Sequence, residues 1–207
     1  MKRKYLRNFL KKGRLEAGCD EAGRGCLAGP VFAAAVILPP EFKHRLLNDS
    51  KKIPAEAREE LRMIVEEKSI AFGIGSASHH EIDEHNILQA SFLAMHRAID
   101  ALHRKPEALL IDGNQFRAYP QIAHNCIIKG DAKFKNIAAA SILAKTYRDR
   151  YMVELSQDFP HYDWHSNKGY GTAAHLHGIR NHGLSPFHRM TFTRGLRERV
   201  SAGLIHR

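Results

Sequence analysis

Three places in the sequence set a carboxylate where an apolar run gives way to glycine: Asp20-Glu21 before Ala22-Gly23, Asp112 before Gly113, and Asp131 after Gly130. A single Asp beside Gly is ordinarily a turn former. Three at the ends of strand-like runs suggest more, because α/β proteins bind ligands beyond the carboxyl ends of their strands. If those strands are neighbours, the carboxylates of Asp20, Glu21, Asp112 and Asp131 converge. Like charges disfavour one another's ionisation, and a divalent cation removes that conflict. Oxygen-only donors favour Mg2+ or Mn2+ over zinc. Two such ions about 3.5–4 Å apart can activate a water and steady the leaving oxygen of an in-line attack at phosphorus, which is phosphodiester hydrolysis. Adjacent residues of a regular strand face opposite ways, so Asp20 and Glu21 share one site only if the strand ends or bulges there.

The flanking pattern supplies the elements that would position these acids. Residues 16–21 and 31–38 read as strands separated by a turn rich in glycine (Gly23, Gly25, Gly29-Pro30). Pro54 opens a helix over 55–68, and 69–77 alternates as a strand. A long helix is expected over 81–102, stopped before Pro106, and a short strand over 108–111. Ile127-Ile128 leads into Gly130-Asp131, followed by an alanine-rich helix over 136–155 whose small residues suit close packing on a sheet. A glycine-rich loop spans 167–172, and Thr172 caps a helix running through His182 to Gly183. This order predicts an α/β sandwich with a mixed sheet, followed by a C-terminal helical appendage without a core of its own.

The chain has 207 residues and a net charge of +10, which points to a polyanionic partner, nucleic acid before anionic membrane. Residues 1–14 hold seven Lys/Arg and no acid, residues 165–207 hold seven and only Glu198, and the stretch between them is mildly acidic. An acidic site would repel a nucleic acid; basic ends answer that. The longest strongly apolar run is residues 31–38, far short of the roughly 20 residues of a membrane-spanning helix, so no membrane association is expected. Met1-Lys2-Arg3-Lys4 is not followed by a signal-peptide apolar core. Cys19, Cys26 and Cys126 are odd in number and lack CxxC spacing, which suggests neither disulfides nor zinc and a reducing, cytoplasmic setting. Fourteen histidines include no HExxH pattern. Those in the basic C-terminal region are expected to face a nucleic-acid backbone.

An ordered set of motifs makes the sequence specific. Asp20-Glu21-Ala22-Gly23-Arg24-Gly25 with Leu27-Ala28-Gly29-Pro30-Val31 is followed by Asp49-Ser50-Lys51-Lys52, Asn86-Ile87-Leu88-Gln89-Ala90 and Ile111-Asp112-Gly113-Asn114. Then come Lys129-Gly130-Asp131, Ala138-Ala139-Ala140-Ser141, Asn167-Lys168-Gly169-Tyr170-Gly171-Thr172, His175 and Ser185-Pro186-Phe187-His188-Arg189. From about residue 15 to 192 the chain resembles the type 2 ribonucleases H, and in particular bacterial ribonuclease HII. The related ribonuclease HIII carries Lys where this chain has Arg24, and a long N-terminal extension for which 207 residues leave no room.

The resemblance implies a ribonuclease H-like fold with a mixed central sheet flanked by helices and a small C-terminal helical appendage. It divides the chain into a basic extension (1–14), a catalytic domain (15–160) and a helical substrate-binding region (161–207). It implies cleavage of RNA in RNA–DNA hybrids and 5′ of single ribonucleotides embedded in duplex DNA, leaving 3′-hydroxyl and 5′-phosphate ends. Asp20, Glu21, Asp112 and Asp131 carry over as the catalytic acids holding Mn2+ or Mg2+. Gly23, Arg24 and Gly25 would read the 2′-hydroxyl and flanking phosphates through the backbone. Tyr170 would stack on the deoxyribose after the ribonucleotide and bond the ribonucleotide's own 2′-hydroxyl, while Lys51 and Lys145 are candidates for phosphate contact. A monomer is expected; a sliding-clamp partner is not specified by the sequence. A structure-specific DNA nuclease on the same fold would share the acids but not the recognition elements. A non-catalytic binder would use the basic ends alone, with steep salt dependence and no need of Asp112.

Overall fold

The computed structural model describes residues 6–47 and 54–196. Its centre is a five-stranded sheet in the order β3-β2-β1-β4-β5. The strands are β1 (Glu16–Ala22), β2 (Val31–Ile37), β3 (Ala71–Ala77), β4 (Ala108–Asp112) and β5 (Ala123–Ile127). The β1–β2 and β2–β3 pairs are antiparallel, and β1–β4 and β4–β5 are parallel. A mixed sheet flanked by helices is the expected architecture.

Each strand's two faces serve different helices, as a period of two requires. Ala33, Ala35 and Ile37 face α2 (His79–Asp100), together with Ala17 and Cys19 of β1. Ala34, Val36 and Leu38 face α1 (Ala55–Lys68) and α3 (Lys135–Asp158). The alanine run Ala138-Ala139-Ala140 is buried here, and a β-carbon at Gly18 would fall 2.2 Å from the Asn136 backbone, so only glycine lets α3 lie this close. Asn136 then fastens the helix to the sheet: its Nδ2 donates to the Glu16 carbonyl at 2.5 Å, and its Oδ1 accepts from the Leu38 N–H at 3.2 Å.

Three elements differ from expectation for identifiable reasons. The Ser78–Glu81 capping box starts α2 at His79, two residues early. Asn86 then breaks that helix with φ 68°, its side-chain oxygen accepting from the Leu88 and Gln89 N–H groups. Strand β5 is a half-exposed edge strand of mixed polarity, so only its end at Ile127 has an apolar signature.

As expected, the C-terminal region has no core of its own. After α3, short α4 (Trp164–Asn167) and α5 (Ala173–His182) gather around the buried Trp164, Tyr162 and Ile179, and this cluster includes Ala28 from the β1–β2 loop and Met152 from α3. Its apolar core is shared with the body of the protein. The N-terminal segment is also partly docked. Leu10 and Lys11 donate their N–H groups to the Glu16 carboxylate, and Arg7 pairs with residues 133–135 while lying over the Phe134 ring at 4.9 Å.

Candidate active site

Parallel pairing of β1 with β4 brings the acids together. Cys19 is opposite Ile111 in the register, so one step further along both strands Asp20 stands beside Asp112. Asp20, Glu21 and Asp112 line one cleft of about 340 Å³ with Gly23, Arg24, Gly25, Ser141, Lys145 and Tyr170. Strand β1 runs without a bulge through Ala22, so Asp20 and Glu21 do point to opposite faces. They share the cleft because β4 ends at Asp112 and leaves that end of the sheet open.

Each carboxylate is held. Asp20 accepts the Glu21 N–H at 2.7 Å and bonds Ser141 of α3. Glu21 accepts from Arg24 Nη1 at 2.9 Å. Asp112 accepts the Gly130 N–H at 2.6 Å. Burial pushes the Asp20 carboxyl well above the usual carboxylate range, and the charges of Glu21 and Asp112 push it further. Burial also raises Glu21, against the pull of Arg24. Among the described residues no three His, Cys, Asp or Glu side chains are closed around a point at metal-ligand spacing. The donor set is nonetheless that of a hard divalent ion: oxygen ligands only, mutually repelling, with Asp20 buried and next to Asp112.

Asp131 is not among the residues lining the cleft. It is buried in a single 3-10 turn (Gly130–Ala132), accepts the Ala132 N–H at 2.9 Å, and follows the glycine that donates to Asp112. Lys145 reaches the rim, but its ammonium pairs with Asp149 one helical turn on. Lys51, with the Asp49–Lys52 motif, lies outside the described residues. Tyr170 is 43% exposed and is among the residues lining the cleft, while its carbonyl accepts from Thr172 N–H and His175 Nδ1.

The C-terminal histidines do not all face outward. His175 and His188 are buried with their ring Nε2 atoms 3.0 Å apart. With the Tyr170 carbonyl on its Nδ1, a neutral His175 carries its proton there and accepts at Nε2 from Trp164 Nε1 and from His188. His188 in turn accepts the Ser185 N–H at Nδ1. Every ring nitrogen is used, and burial depresses both histidines, His188 to about 3. Two buried arginines, Arg148 and Arg189, also escaped the sequence reading. Arg148 donates to the carbonyls of Pro30, Lys168 and Ala28. Arg189, one of the basic C-terminal residues, is internal. Only the buried setting distinguishes these arginines from surface ones, and composition carries no signal of that.

The fold has known counterparts. The crystal structure of the ribonuclease H2 from Pyrococcus horikoshii superposes with a TM-score of 0.76 at 24% identity, over 90% of this chain and 98% of that one. Bst-RNase HIII in complex with Mn2+ gives 0.69 at 19% identity, over 94% and 71%. These likenesses give the class of fold, that of the type 2 ribonucleases H. Closer relatives narrow that class: Parabacteroides distasonis ribonuclease HII is 60% identical over 185 residues, 89% of this chain and 93% of that protein. The ribonuclease HII family profile matches residues 17–195, and the chain belongs to that family. Its members are type 2 ribonucleases H, dependent on divalent metals and acting on RNA–DNA hybrids.

Proposed function

We propose that this enzyme, besides cutting RNA in hybrids, nicks duplex DNA on the 5′ side of a single embedded ribonucleotide, leaving 3′-hydroxyl and 5′-phosphate ends. One observation carries the proposal: the carboxylates of Asp20, Glu21 and Asp112 share their cleft with Gly23, Arg24, Gly25 and Tyr170. An acidic centre flanked by exposed backbone and an aromatic ring suits a single ribonucleotide better than a long tract.

Asp20, Glu21 and Asp112 would hold Mn2+ or Mg2+, with Asp131 as a fourth acid from the adjoining turn. When bound, the metal supplies charge neutralisation and Lewis acidity at the scissile phosphate. The Gly130 N–H orients the Asp112 carboxylate, and the Arg24 guanidinium does the same for Glu21. The backbone of residues 23–25 would meet the 2′-hydroxyl, which is both donor and acceptor. The half-exposed Tyr170 ring would stack on the following sugar, where a second 2′-hydroxyl would clash. Free cysteines at 19, 26 and 126 accord with action in the cytoplasm.

The test is a labelled DNA duplex with one internal ribonucleotide, incubated with the enzyme and Mg2+ or Mn2+. A nick immediately 5′ of the ribonucleotide is expected. No product with either metal would remove the proposal.

A further inference from the structure

Arg189 is 0% exposed, yet its three donor nitrogens serve only backbone: Nε donates to the Gly29 carbonyl at 2.9 Å, Nη1 to Arg24 at 2.9 Å and Nη2 to Gly23 at 2.7 Å. Its guanidinium also lies 5.2 Å from the centre of the Phe192 ring. A buried cation is costly unless fully bonded, and filling the space alone would favour an apolar side chain.

The two carbonyls at Gly23 and Arg24 are consecutive. In a trans peptide the C=O and N–H point in opposite directions. Holding those carbonyls from the inside therefore turns the next N–H groups, those of Arg24 and Gly25, away from Arg189 and toward the face that lines the cleft. Among the described residues neither N–H donates to a protein acceptor. Gly23 lies directly against the Arg148 side chain: it has φ 95° and a β-carbon there would strike Arg148, so the position takes only glycine. A β-carbon at Gly25, in contrast, would meet no protein atom within 4 Å. The backbone at Gly25 is therefore open on that side.

We propose that Arg189 is a positioning residue for ribonucleotide recognition: it fixes the Gly23 and Arg24 carbonyls from behind and so presents two convergent N–H donors to the 2′-hydroxyl. This rests on the function proposed above and assigns part of its selectivity to a side chain that never touches substrate. Lysine cannot replace it, because a compact ammonium does not span carbonyls as the planar fork does.

The experiment compares the affinities of wild type and Arg189→Lys, in chelator so that nothing is cut, for a duplex with one ribonucleotide and for the all-DNA duplex. The ratio of the two affinities should fall about tenfold in Arg189→Lys, the worth of roughly one or two hydrogen bonds, with affinity for all-DNA duplex kept. An unchanged ratio, even with a lowered melting temperature, would mean Arg189 is structural only and would overturn the proposal. Should Arg189→Lys fail to fold, 15N-labelled wild type decides. The Arg24 and Gly25 amide resonances should shift more with the ribonucleotide duplex than with all-DNA duplex, and equal shifts overturn the proposal. Wild type that nicks the ribonucleotide duplex yet fails these tests loses only the role of Arg189; wild type that never nicks it loses the parent function.

Discussion

The Asp112 carboxylate accepts the Gly130 N–H at 2.6 Å, which ties the end of β4 to the turn that begins at Gly130 and carries Asp131. A charged acceptor at this length is a strong bond. It makes the position of Asp112 a property of two loops at once.

Asp112→Asn preserves size and the oxygen that accepts from Gly130, but removes the charge. The variant should fold and bind nucleic acid like wild type while losing about two orders of magnitude or more in cleavage rate, since metal-assisted stabilisation is worth several kcal/mol. Single-turnover cleavage and anisotropy binding measure the two effects separately; substantial turnover would take Asp112 out of the metal site.

The raised carboxyls make the metal-free protein sensitive to base. A folded-state pKa above the unfolded one means the folded state holds its proton more tightly, so the contribution of these two groups is greatest at low pH and is lost as pH rises from the ordinary carboxylate range through the raised values of Asp20 and Glu21. Thermal melts in chelator should show this fall, Asp20→Asn should flatten it, and added Mg2+ or Mn2+ should raise the melting temperature at neutral pH. No metal-induced rise would contradict a carboxylate metal site.

The histidine pair has the opposite sign. His175 and His188 are depressed in the fold, His188 to about 3, whereas the unfolded chain protonates near the ordinary 6.5. Their contribution is complete above pH ~6.5 and is lost as pH falls toward 3, by at most about 1.4 kcal/mol per pH unit for each group. His188→Gln should lower stability at neutral pH and reduce the acid slope. An unaltered slope would show that the pair does not control acid unfolding.

Tyr170 lines the cleft while its carbonyl is held by His175, so its truncation removes the ring without releasing the loop. Tyr170→Ala should reduce cleavage at a single ribonucleotide by about tenfold more than cleavage within a long RNA tract, as expected for one lost stacking contact. Equal losses on both substrates would deny Tyr170 a role at the RNA-to-DNA junction.

The docked N-terminal segment changes what its removal should do. Deleting residues 1–14 takes away seven basic residues, and also the Leu10 and Lys11 N–H groups that satisfy the Glu16 carboxylate. The truncated chain should melt lower as well as bind more weakly at moderate salt, with the position of the cut unchanged. Loss of affinity without loss of stability would mean the segment acts through charge alone.

By itself the sequence determined the chemistry on offer. Glycine close to acid at Asp20-Glu21, Asp112 and Asp131, helical and alternating periodicities, and a polarised charge distribution are local signals, and they sufficed for the α/β class, most elements and the candidate acids. The cleft is different. That Asp20 meets Asp112 depends on β1 pairing in parallel with β4 across some ninety residues of chain, and register is a tertiary property. So is the use of Glu21, which reaches the cleft because β4 ends where it does. The break at Asn86, the edge strand β5, the shared C-terminal core and the neutral His175–His188 pair were equally hidden, because the same residue types on a surface would spell the same sequence. Arg189 is the clearest instance. In the sequence it is one basic residue among seven near the C-terminus; burial turns it into the support behind Gly23 and Arg24, because a cation removed from water must place every donor it has.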